Sequence, residues 1–521
     1  MIPVLLNGLV AAPVAFALLA ALASRRERLA VGLAVLGGFV TFAWSVWLAV
    51  AHDGRLGSAG STVDVLWLGA LDVHWKLGID GISGPLVLMT TLVFVTALFS
   101  LRRYAPENAE GGPRRTVSLA VLLLVIEAGV LGAFVALDMV LFFVFFEVAL
   151  IPMWFVINTW GDAHDPATRR RAATRFLIFT VTGSALMLVG FLLVRTDAGT
   201  FDIVRIATSY TPAGATAVAA SALVALGLAV KTPLWPLHIW LPDAHSKAPT
   251  VGSVVLAAVL LKLGTYGFLR FWMPVTSPEW VLVPLVAALG VVGIVYAALA
   301  CLVQTDLKRL IAYSSVGHMG FVVLAAATFT VGGVQGAVFA SVAHGLITGL
   351  LFFLAGAIKD RYGTTDLARL TVLYGKVPRL GGVFAFAAMA SLGLPGLAGF
   401  WGEMLAIRSA VDQAAALPEV TYRWLAFIAA LGVILTSAYF LALMRGMLQG
   451  GPVKPVTQAE ATVEVVADTV PLGEAAVRDV AGTEWLTWAP LLALTLLLGV
   501  VPGLLLAPVA DAARAFLGGL G

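Results

Sequence analysis

Runs of about 20 apolar residues recur along this chain from one end to the other, and they constrain its fold more than any other feature. Each run is long enough to cross the ~30 Å hydrocarbon core of a bilayer as an α-helix. About fourteen runs of this kind follow one another. They are near-continuous and lack the residue-by-residue alternation of an outer-membrane barrel. The sequence therefore predicts an all-α polytopic membrane protein with about 14 transmembrane helices.

Composition agrees with this prediction and excludes several kinds of metal site and partner. Of the 521 residues, 60% are hydrophobic and 12% are charged, and the mean hydropathy is +0.98, which a water-soluble domain of this length cannot sustain. The single cysteine, Cys301, excludes disulfides, iron–sulfur clusters and thiolate metal sites within the chain. No nucleic-acid partner is expected, because membrane topology is a sufficient explanation for the basic residues.

The distribution of basic residues predicts how the helices are oriented. No basic residue precedes the first apolar run, Pro3–Ala23, and Arg25, Arg26 and Arg28 follow it, so this run is expected to be a retained helix and not a signal peptide. Alternate loops then hold 22 of the 32 lysines and arginines on the predicted inner side and 8 on the outer side. The chain is thus expected in the cell inner (plasma) membrane as a multi-pass protein with both termini on the outer side.

Two of the predicted helices contain strong helix breakers. Helix seven contains Lys-Thr-Pro-Leu-Trp-Pro (231–236), and helix twelve contains Gly-Leu-Pro-Gly-Leu-Ala-Gly (393–399). Because such breaks survive at membrane depth only where protein or water satisfies the freed backbone groups, both helices are predicted to be discontinuous within a functional region. The breaks lie five helices apart, which indicates two inverted five-helix repeats, as in many transporters.

The predicted helices and repeats divide the chain into five parts. They are an N-terminal three-helix segment (1–112), a first five-helix repeat (113–273), a second, inverted five-helix repeat (274–446), an acidic cytoplasmic loop (447–486), and a last helix with its tail (487–521).

Ionisable residues lie inside the predicted helices. They are Glu127, Glu147, Lys231, Lys262, His318, His344 and Glu403. Lys262 has about 15 Å of helix on either side, so its ammonium group cannot simply reach a headgroup, and a charge at that depth costs at least ~2.5 kcal/mol. A functional role is therefore favoured over the alternative that the two lysines are only buried ion-pair partners.

The histidines allow several interpretations. His318 and His344 lie at mid-depth on neighbouring predicted helices, and this placement suits a proton relay, a hydrogen-bonded packing pair, or the two axial ligands of a haem. A relay is favoured, since one histidine pair would hold only one haem and no second pair exists to carry electrons across the bilayer. His238 and His245, where helix seven meets the inner loop, suit either a gate for proton uptake or hydrogen bonds at a helix end.

Five segments together resemble a known family. They are VKTPLWPLHIWLPDAHSKAPTVGSVVLAAVLLKLGTYGFLRF (230–271), FFEVALIPMWF (145–155), AYSSVGHMGF (312–321), AHGL (343–346) and GLPGLAGFWGE (393–403). They resemble the antiporter-like subunits of respiratory complex I, the proton-translocating NADH-quinone oxidoreductase. The resemblance covers roughly residues 75 to 445.

The resemblance implies a role for each matching residue. Glu147 would pair with Lys231, Lys262 with His318 and His344 would form a central relay, and Glu403 would release the proton. Glu127 and His238 are further candidates. The chain would be a subunit of a translocating enzyme without a redox centre of its own, coupled to quinone reduction elsewhere in the complex.

The resemblance also implies cofactors, partners and an alternative. FMN, iron–sulfur clusters and quinone are expected in partner subunits and no cofactor in this chain. The expected partners are other complex I membrane subunits, especially the antiporter-like subunits L and N, together with lipids. The alternative function is a subunit of a Mrp-type cation/proton antiporter or of a membrane-bound hydrogenase, both built from the same fold.

Two features favour the subunit M group of this family. The helix-twelve position, Glu403, is usually a lysine in the L and N groups. The L group also extends past its last helix into a long lateral helix, whereas this sequence continues for about thirteen residues after Pro508. One departure is the segment Gly450–Glu484, which is longer than expected and carries six acidic residues against two basic ones. It is expected to be a surface loop on the cytoplasmic side.

Overall fold

The computed structural model describes residues 2–51, 62–101, 113–450 and 478–519. Within these ranges the chain is almost entirely helical, with one two-stranded hairpin. The elements in chain order are α1 (Ile2–Leu22), α2 (Glu27–Ala51), β1 (Thr62–Leu68), β2 (Val73–Gly78), α3 (Ser83–Ser100), α4 (Pro113–Val135), α5 (Met139–Trp160), α6 (Pro166–Ala198), α7 (Ile203–Ser209), α8 (Gly214–Lys231), α9 (Trp240–Lys247), α10 (Thr250–Val275), α11 (Leu282–Leu302), α12 (Leu307–Ala326), α13 (Val331–Tyr362), α14 (Leu373–Lys376), α15 (Pro378–Ser391), α16 (Ala398–Val411), α17 (Glu419–Gln449), α18 (Gly482–Val500) and α19 (Gly503–Gly519).

The number of membrane-spanning helices agrees with the prediction. In the described residues, 13 helices are long and apolar enough to cross a membrane. The helices α15 and α16 have 14 residues each and together make a fourteenth, interrupted span. The prediction of about 14 transmembrane helices is therefore confirmed.

Predicted helix seven is broken where its prolines stand. Its first half, α8, ends at Lys231, and the chain runs without regular helix until α9 begins at Trp240. Pro233 and Pro236 have no N–H group to continue the helical ladder. The carbonyl of Val230, which the break leaves without a helical partner, accepts a hydrogen bond of 3.0 Å from the indole of Trp240.

Predicted helix twelve is broken in the same manner. The first half, α15, ends at Ser391, and Gly393 (φ +82°) and Gly396 (φ +92°) take left-handed conformations before α16 begins at Ala398. Only glycine adopts this region without strain, so the glycines permit the interruption. Both breaks are confirmed, whereas the inverted symmetry of the repeats stays a prediction.

The chain has two ends in the direction of the helix axes. One, here called the terminal face, carries the beginning of α1, the hairpin, α7 and α19. The hairpin pairs β1 with β2 in antiparallel register. It contacts the helices through Lys76, whose carbonyl accepts a bond of 2.9 Å from Leu137, and through Trp75, whose indole donates to the side chain of Asn7. The sequence pattern did not predict this hairpin.

The apolar pattern of the sequence predicts the last helix over residues 487–508, and these boundaries are wrong. The span α18 ends at Val500, and the separate helix α19 lies across the terminal face. The side-chain amide of Gln335 donates to the carbonyl of Leu506 at 2.8 Å. A Cβ on Gly81 would lie 2.1 Å from the carbonyl oxygen of Pro508, so α19 packs directly against the backbone before α3.

Ion pairs hold α9 at the opposite face. Asp243 accepts hydrogen bonds from Arg175 and, at 3.3 Å, from Arg309, while Lys247 donates to Asp162 at 3.2 Å. Burial raises the pKa of Asp162, but Lys359 and Lys247 outweigh that effect and hold its pKa below the usual range. The short second half of predicted helix seven is thus fixed by charges from two other helices, α6 and α12, and from the loop that contains Asp162.

Most of the acidic segment, residues 451–477, lies outside the described residues. That this segment forms a surface loop therefore stays a prediction. Its end is described and is firmly attached. Glu484 forms a two-pronged ion pair with Arg361, at 2.8 and 2.9 Å, and Asp479 caps the first turn of α15 through the N–H groups of Arg379 and Leu380.

Candidate functional site

Lys262 lies at the centre of the bundle on α10. This helix is buried along its whole length and contains two π-helical turns, Leu256–Leu260 and Phe268–Trp272, on either side of the lysine. The ammonium nitrogen of Lys262 lies 2.7 Å from the carbonyl oxygen of Ala257 and 2.6 Å from Nδ1 of His344. A π-turn leaves the regular carbonyl ladder, and such turns are frequent at functional sites.

His318 and Glu403 extend this cluster towards the break in predicted helix twelve. Nδ1 of His318 lies 3.0 Å from Oε1 of Glu403, and its Nε2 lies 3.1 Å from the hydroxyl of Ser391. The rings of His318 and His344 are 5.5 Å apart, centre to centre. Lys262, His344, His318 and Glu403, which we call the central cluster, therefore form one line of polar groups inside the membrane region.

A small cavity lies inside the central cluster. It has a volume of about 20 Å³ and is lined by His318, His344, Glu403, Ser391 and apolar side chains. This volume is sufficient for one water molecule, and the polar lining supplies hydrogen-bond partners for it. It is far too small for a porphyrin, and both nitrogens of His318 are already engaged. The haem interpretation therefore does not fit this site.

Glu147 and Lys231 form a second group, beside the break in predicted helix seven. Lys231 is fully buried, and its ammonium group lies 4.5 Å from the ring centre of Phe146. The two charges are near enough to interact electrostatically. Neither Nζ of Lys231 nor Oε1 of Glu147 has a hydrogen-bond partner among the described residues. The two side chains are thus close but are not hydrogen-bonded to each other through these atoms.

Two predicted site residues lie apart from these groups. Glu127, on α4, is fully buried, and neither carboxyl oxygen has a hydrogen-bond partner in the described part of the chain. His238 lies in the broken segment, with its ring 4.9 Å from that of Tyr296 and 6.2 Å from that of Tyr313. The structure does not join either residue to the central cluster by a hydrogen bond.

His245 is closer to the central cluster than sequence reasoning suggests. The sequence places it at a helix end beside a polar loop, yet its side chain is fully buried and stacks on Phe352 with ring centres 4.5 Å apart. It lies within electrostatic range of Lys262 and His344. The sequence gives no indication that His245 is buried, because its neighbours Asp243, Ser246 and Lys247 are polar.

Sequence reasoning also missed a buried ion pair between Asp80 and Arg270. Arg270 is one of the eight basic residues that the sequence assigns to the outer side, but the structure places it inside the bundle at the terminal face, hydrogen-bonded to Asp80. Its guanidinium carbon lies 5.7 Å from the ring centre of Tyr266 and 5.4 Å from that of Phe516 on α19. No local signal identifies this pair, since 190 residues separate its members.

The arrangement suits proton transfer and not metal binding. Lysine, histidine and glutamate each bind or release a proton, and histidine passes one between its two nitrogens. No group of three or more histidine, cysteine, aspartate or glutamate side chains that would hold a metal ion occurs in the described ranges. The two groups are separate: one lies at the break of predicted helix seven, and the other reaches the break of predicted helix twelve.

Comparisons with known proteins agree on one family. Residues 136–429 match the family described as NADH:quinone oxidoreductase/Mrp antiporter, TM. A protein of Rhodobacter capsulatus named NADH-quinone oxidoreductase subunit M is 38% identical over 511 residues, which cover 94% of this chain and 92% of that protein.

Two solved structures have the same fold. A chain of respiratory complex I from Thermus thermophilus superposes with a TM-score of 0.83 at 30% identity, and 99% of this chain and 100% of that chain are covered. A chain of the Mrp complex from Dietzia sp. superposes with a TM-score of 0.81 at 23% identity, with 99% of both chains covered. At this lower identity the second likeness shows the fold alone.

Proposed function

The chain belongs to the NADH-quinone oxidoreductase subunit M family, and from that membership we propose that it moves protons through its own interior as a membrane subunit of this multi-subunit enzyme. The observation that carries the proposal is the central cluster. Its four titratable side chains lie within contact of one another at the core of a membrane bundle, where isolated charges are costly and mark ion pathways. The chemistry coupled to this transport takes place elsewhere in the complex.

Proton movement along the central cluster follows from the atoms that face each other. Lys262 gives its proton to Nδ1 of His344, across 2.6 Å, and the imidazole releases the proton of its other nitrogen. The cavity has room for one water molecule to pass that proton to His318 or Glu403. Nδ1 of His318 faces Glu403 directly, so the carboxylate is the last acceptor of the line. Before the next proton moves, Lys262 has to be protonated again, His344 has to return from its Nδ1–H to its Nε2–H tautomer, and Glu403 has to release its proton.

Glu147 and Lys231 are proposed to control how protons enter this line. When the carboxylate and the ammonium group are in contact, each stabilises the charge of the other, and when they separate, Lys231 keeps only its contact with the ring of Phe146. At low dielectric a change of a few ångströms in their separation alters the interaction by several kcal/mol. Moving one charge against 100 mV requires about 2.3 kcal/mol, so this range is sufficient to drive a step.

Glu147→Gln and Lys231→Met test the control step. Each variant removes one charge of the interacting pair but nearly preserves its volume, so the subunit should insert and assemble. We expect proton pumping and coupled quinone reduction to fall by at least about tenfold, since proton-transfer groups typically contribute more than this. The measurement is proton uptake by sealed vesicles that contain the assembled complex.

A matched control is Glu419→Gln, which changes an exposed glutamate at the start of α17. It should pump at the wild-type rate. Wild-type pumping by an assembled Glu147→Gln/Lys231→Met double variant would contradict the proposed role.

The cofactors and neighbours belong to the rest of the complex. FMN, iron–sulfur clusters and quinone are proposed to reside in partner subunits, and no cofactor is proposed for this chain. The neighbours proposed are the antiporter-like subunits L and N, and lipids cover the apolar outer surfaces. The likeness to a protein named subunit M covers more than nine-tenths of both chains, and it supports a place in complex I over the antiporter and hydrogenase alternatives. The likeness to the Mrp complex supports the fold alone.

The terminal face is proposed to lie on the outer side of the cell inner (plasma) membrane. The positive-inside rule supports this orientation, because the arginine-rich loops lie at the opposite face. Arg205 (76% exposed) and Arg369 (70% exposed) are matched positions on the two faces. In a Cys301→Ser background, Arg205→Cys should react with a membrane-impermeant maleimide in sealed cells and Arg369→Cys should not. The reverse pattern would invert the proposed topology. Two further labelling positions that the sequence suggests, 55 on the outer side and 465 on the inner side, lie outside the described residues.

A further inference from the structure

A large groove opens on the terminal face, away from the central cluster. Its volume is about 1170 Å³, above the 300–1,000 Å³ that is typical of sites for drug-sized ligands. The groove is bordered by α2, α3, α7, α13, α18 and α19, and by Arg270 of α10. Along α3 it extends from Gly84 to Leu92, which is about 8 residues or roughly 12 Å of helix. A cavity of this depth, which begins at the membrane surface and continues into the hydrocarbon region, suits an elongated molecule.

The lower part of the groove is apolar. Leu88 and Leu92 of α3 face Leu346 of α13 and Leu494 and Leu498 of α18 across it. These side chains offer no hydrogen-bonding groups, so they match hydrocarbon and exclude polar occupants. The floor suits acyl chains.

The rim of the groove is charged but balanced. Asp80 and Arg270 form the buried pair already described, and Arg514 donates to Asp511 at 2.7 Å on α19. Two acidic and two basic side chains therefore meet at the rim, with no net charge. Arg270 is 2% exposed, so it contributes mainly its charge to the rim, whereas Arg514 and Asp511 are 63% and 78% exposed and can contact a headgroup directly.

We propose that this groove binds one zwitterionic phospholipid with a primary ammonium headgroup, of the phosphatidylethanolamine class. The phosphate lies by the arginines of the rim, the ammonium group lies by Asp511, and the acyl chains occupy the leucine-lined floor. A net-neutral rim with both signs of charge complements a headgroup that also carries both signs, whereas the net charge of an anionic headgroup finds no surplus positive charge, since Arg270 and Arg514 are already paired with Asp80 and Asp511. This assignment does not depend on the proposed proton path.

Gly84→Leu provides a direct test. Gly84 lines the groove, and a Cβ there would meet only Ile79 at an ordinary distance of 3.8 Å, so the added side chain extends into the groove without a backbone clash. Gly32→Leu is the matched control, because Gly32 lies on α2 outside the groove lining and has nothing within 4 Å of its Cβ position.

The probe is phosphatidylethanolamine with a diazirine on one acyl chain, added to vesicles that contain the assembled complex. After irradiation, adducts on peptides 83–92 and 491–500 are quantified by mass spectrometry. We expect severalfold fewer adducts in Gly84→Leu than in the wild type or Gly32→Leu. The same labelling intensity in Gly84→Leu would overturn the proposal, and so would a neighbouring subunit that is cross-linked in the groove in place of the lipid.

A charge variant tests the headgroup. Asp511→Lys, at an exposed position, gives the rim a net positive charge and should shift the preference from the phosphatidylethanolamine probe to the matching phosphatidylglycerol probe. Equal labelling of the wild type by both probes, or a wild-type preference for phosphatidylglycerol, would overturn the zwitterionic assignment.

Discussion

Proton pumping should fall by on the order of 100-fold when Lys262 is replaced by methionine. Methionine fills nearly the same buried volume, but it cannot donate to the carbonyl of Ala257 or to Nδ1 of His344, which Lys262 contacts at 2.7 and 2.6 Å. The line of titratable groups then begins at His344 without a donor. Initial rates of proton uptake by vesicles that contain assembled complex measure the loss.

Lys76→Met is the control for Lys262→Met. Lys76 is also a lysine with a defined partner, Asp202 at 2.6 Å, but it belongs to the hairpin on the terminal face. We expect Lys76→Met to pump normally once it is assembled. Normal pumping by Lys262→Met would show that the buried lysine serves packing alone.

Glu403→Gln should stop proton transfer through the subunit almost completely. The amide keeps the shape of the carboxylate and can still face Nδ1 of His318, but it cannot accept and release a proton. Glu403 also lies beside the break, since a Cβ on Gly393 would be 2.9 Å from its Oε2. Pumping by sealed vesicles, measured with and without sodium, gives the result.

The Glu403 variants separate a proton acceptor from a helix-end hydrogen bond. If the side chain only bonds to the broken backbone, glutamine should support pumping nearly as well as glutamate. Glu403→Lys places another titratable group at the same position and should retain part of the activity. Sodium-dependent transport by the wild type would favour the cation/proton antiporter alternative.

The number of spans and the positions of their breaks could be predicted because both follow from local chemistry. A run of apolar residues predicts a span by its length. Pro233 and Pro236 mark one interruption because proline has no N–H group for the helical ladder. Gly393 and Gly396 mark the other because only glycine takes a left-handed conformation without strain. The predicted end of the last span was wrong because apolar residues continue past Val500, so composition does not mark where the helix ends. Its Pro502-Gly503 pair turns the chain within an uninterrupted apolar run.

The partners within the site could not be predicted from the same local rules. The sequence identifies Lys262 as anomalous, but its hydrogen bond to His344 depends on how α10 and α13 pack. Sequence reasoning also missed the burial of His245, whose sequence neighbours are polar. Contacts of this kind are set by tertiary packing between helices far apart in the sequence.

The buried pair of Asp80 and Arg270 has a consequence for the order of synthesis. Ribosomes add about 5–20 residues per second, so the 190 residues between the two charges take roughly 10–40 s to make. Throughout that time Asp80 lacks its arginine, and the partners within its reach are local, namely the N–H groups of Ile82 and Ser83 in its own turn. The ion pair, which joins the start of α3 to α10, therefore forms only after the eighth span has been made.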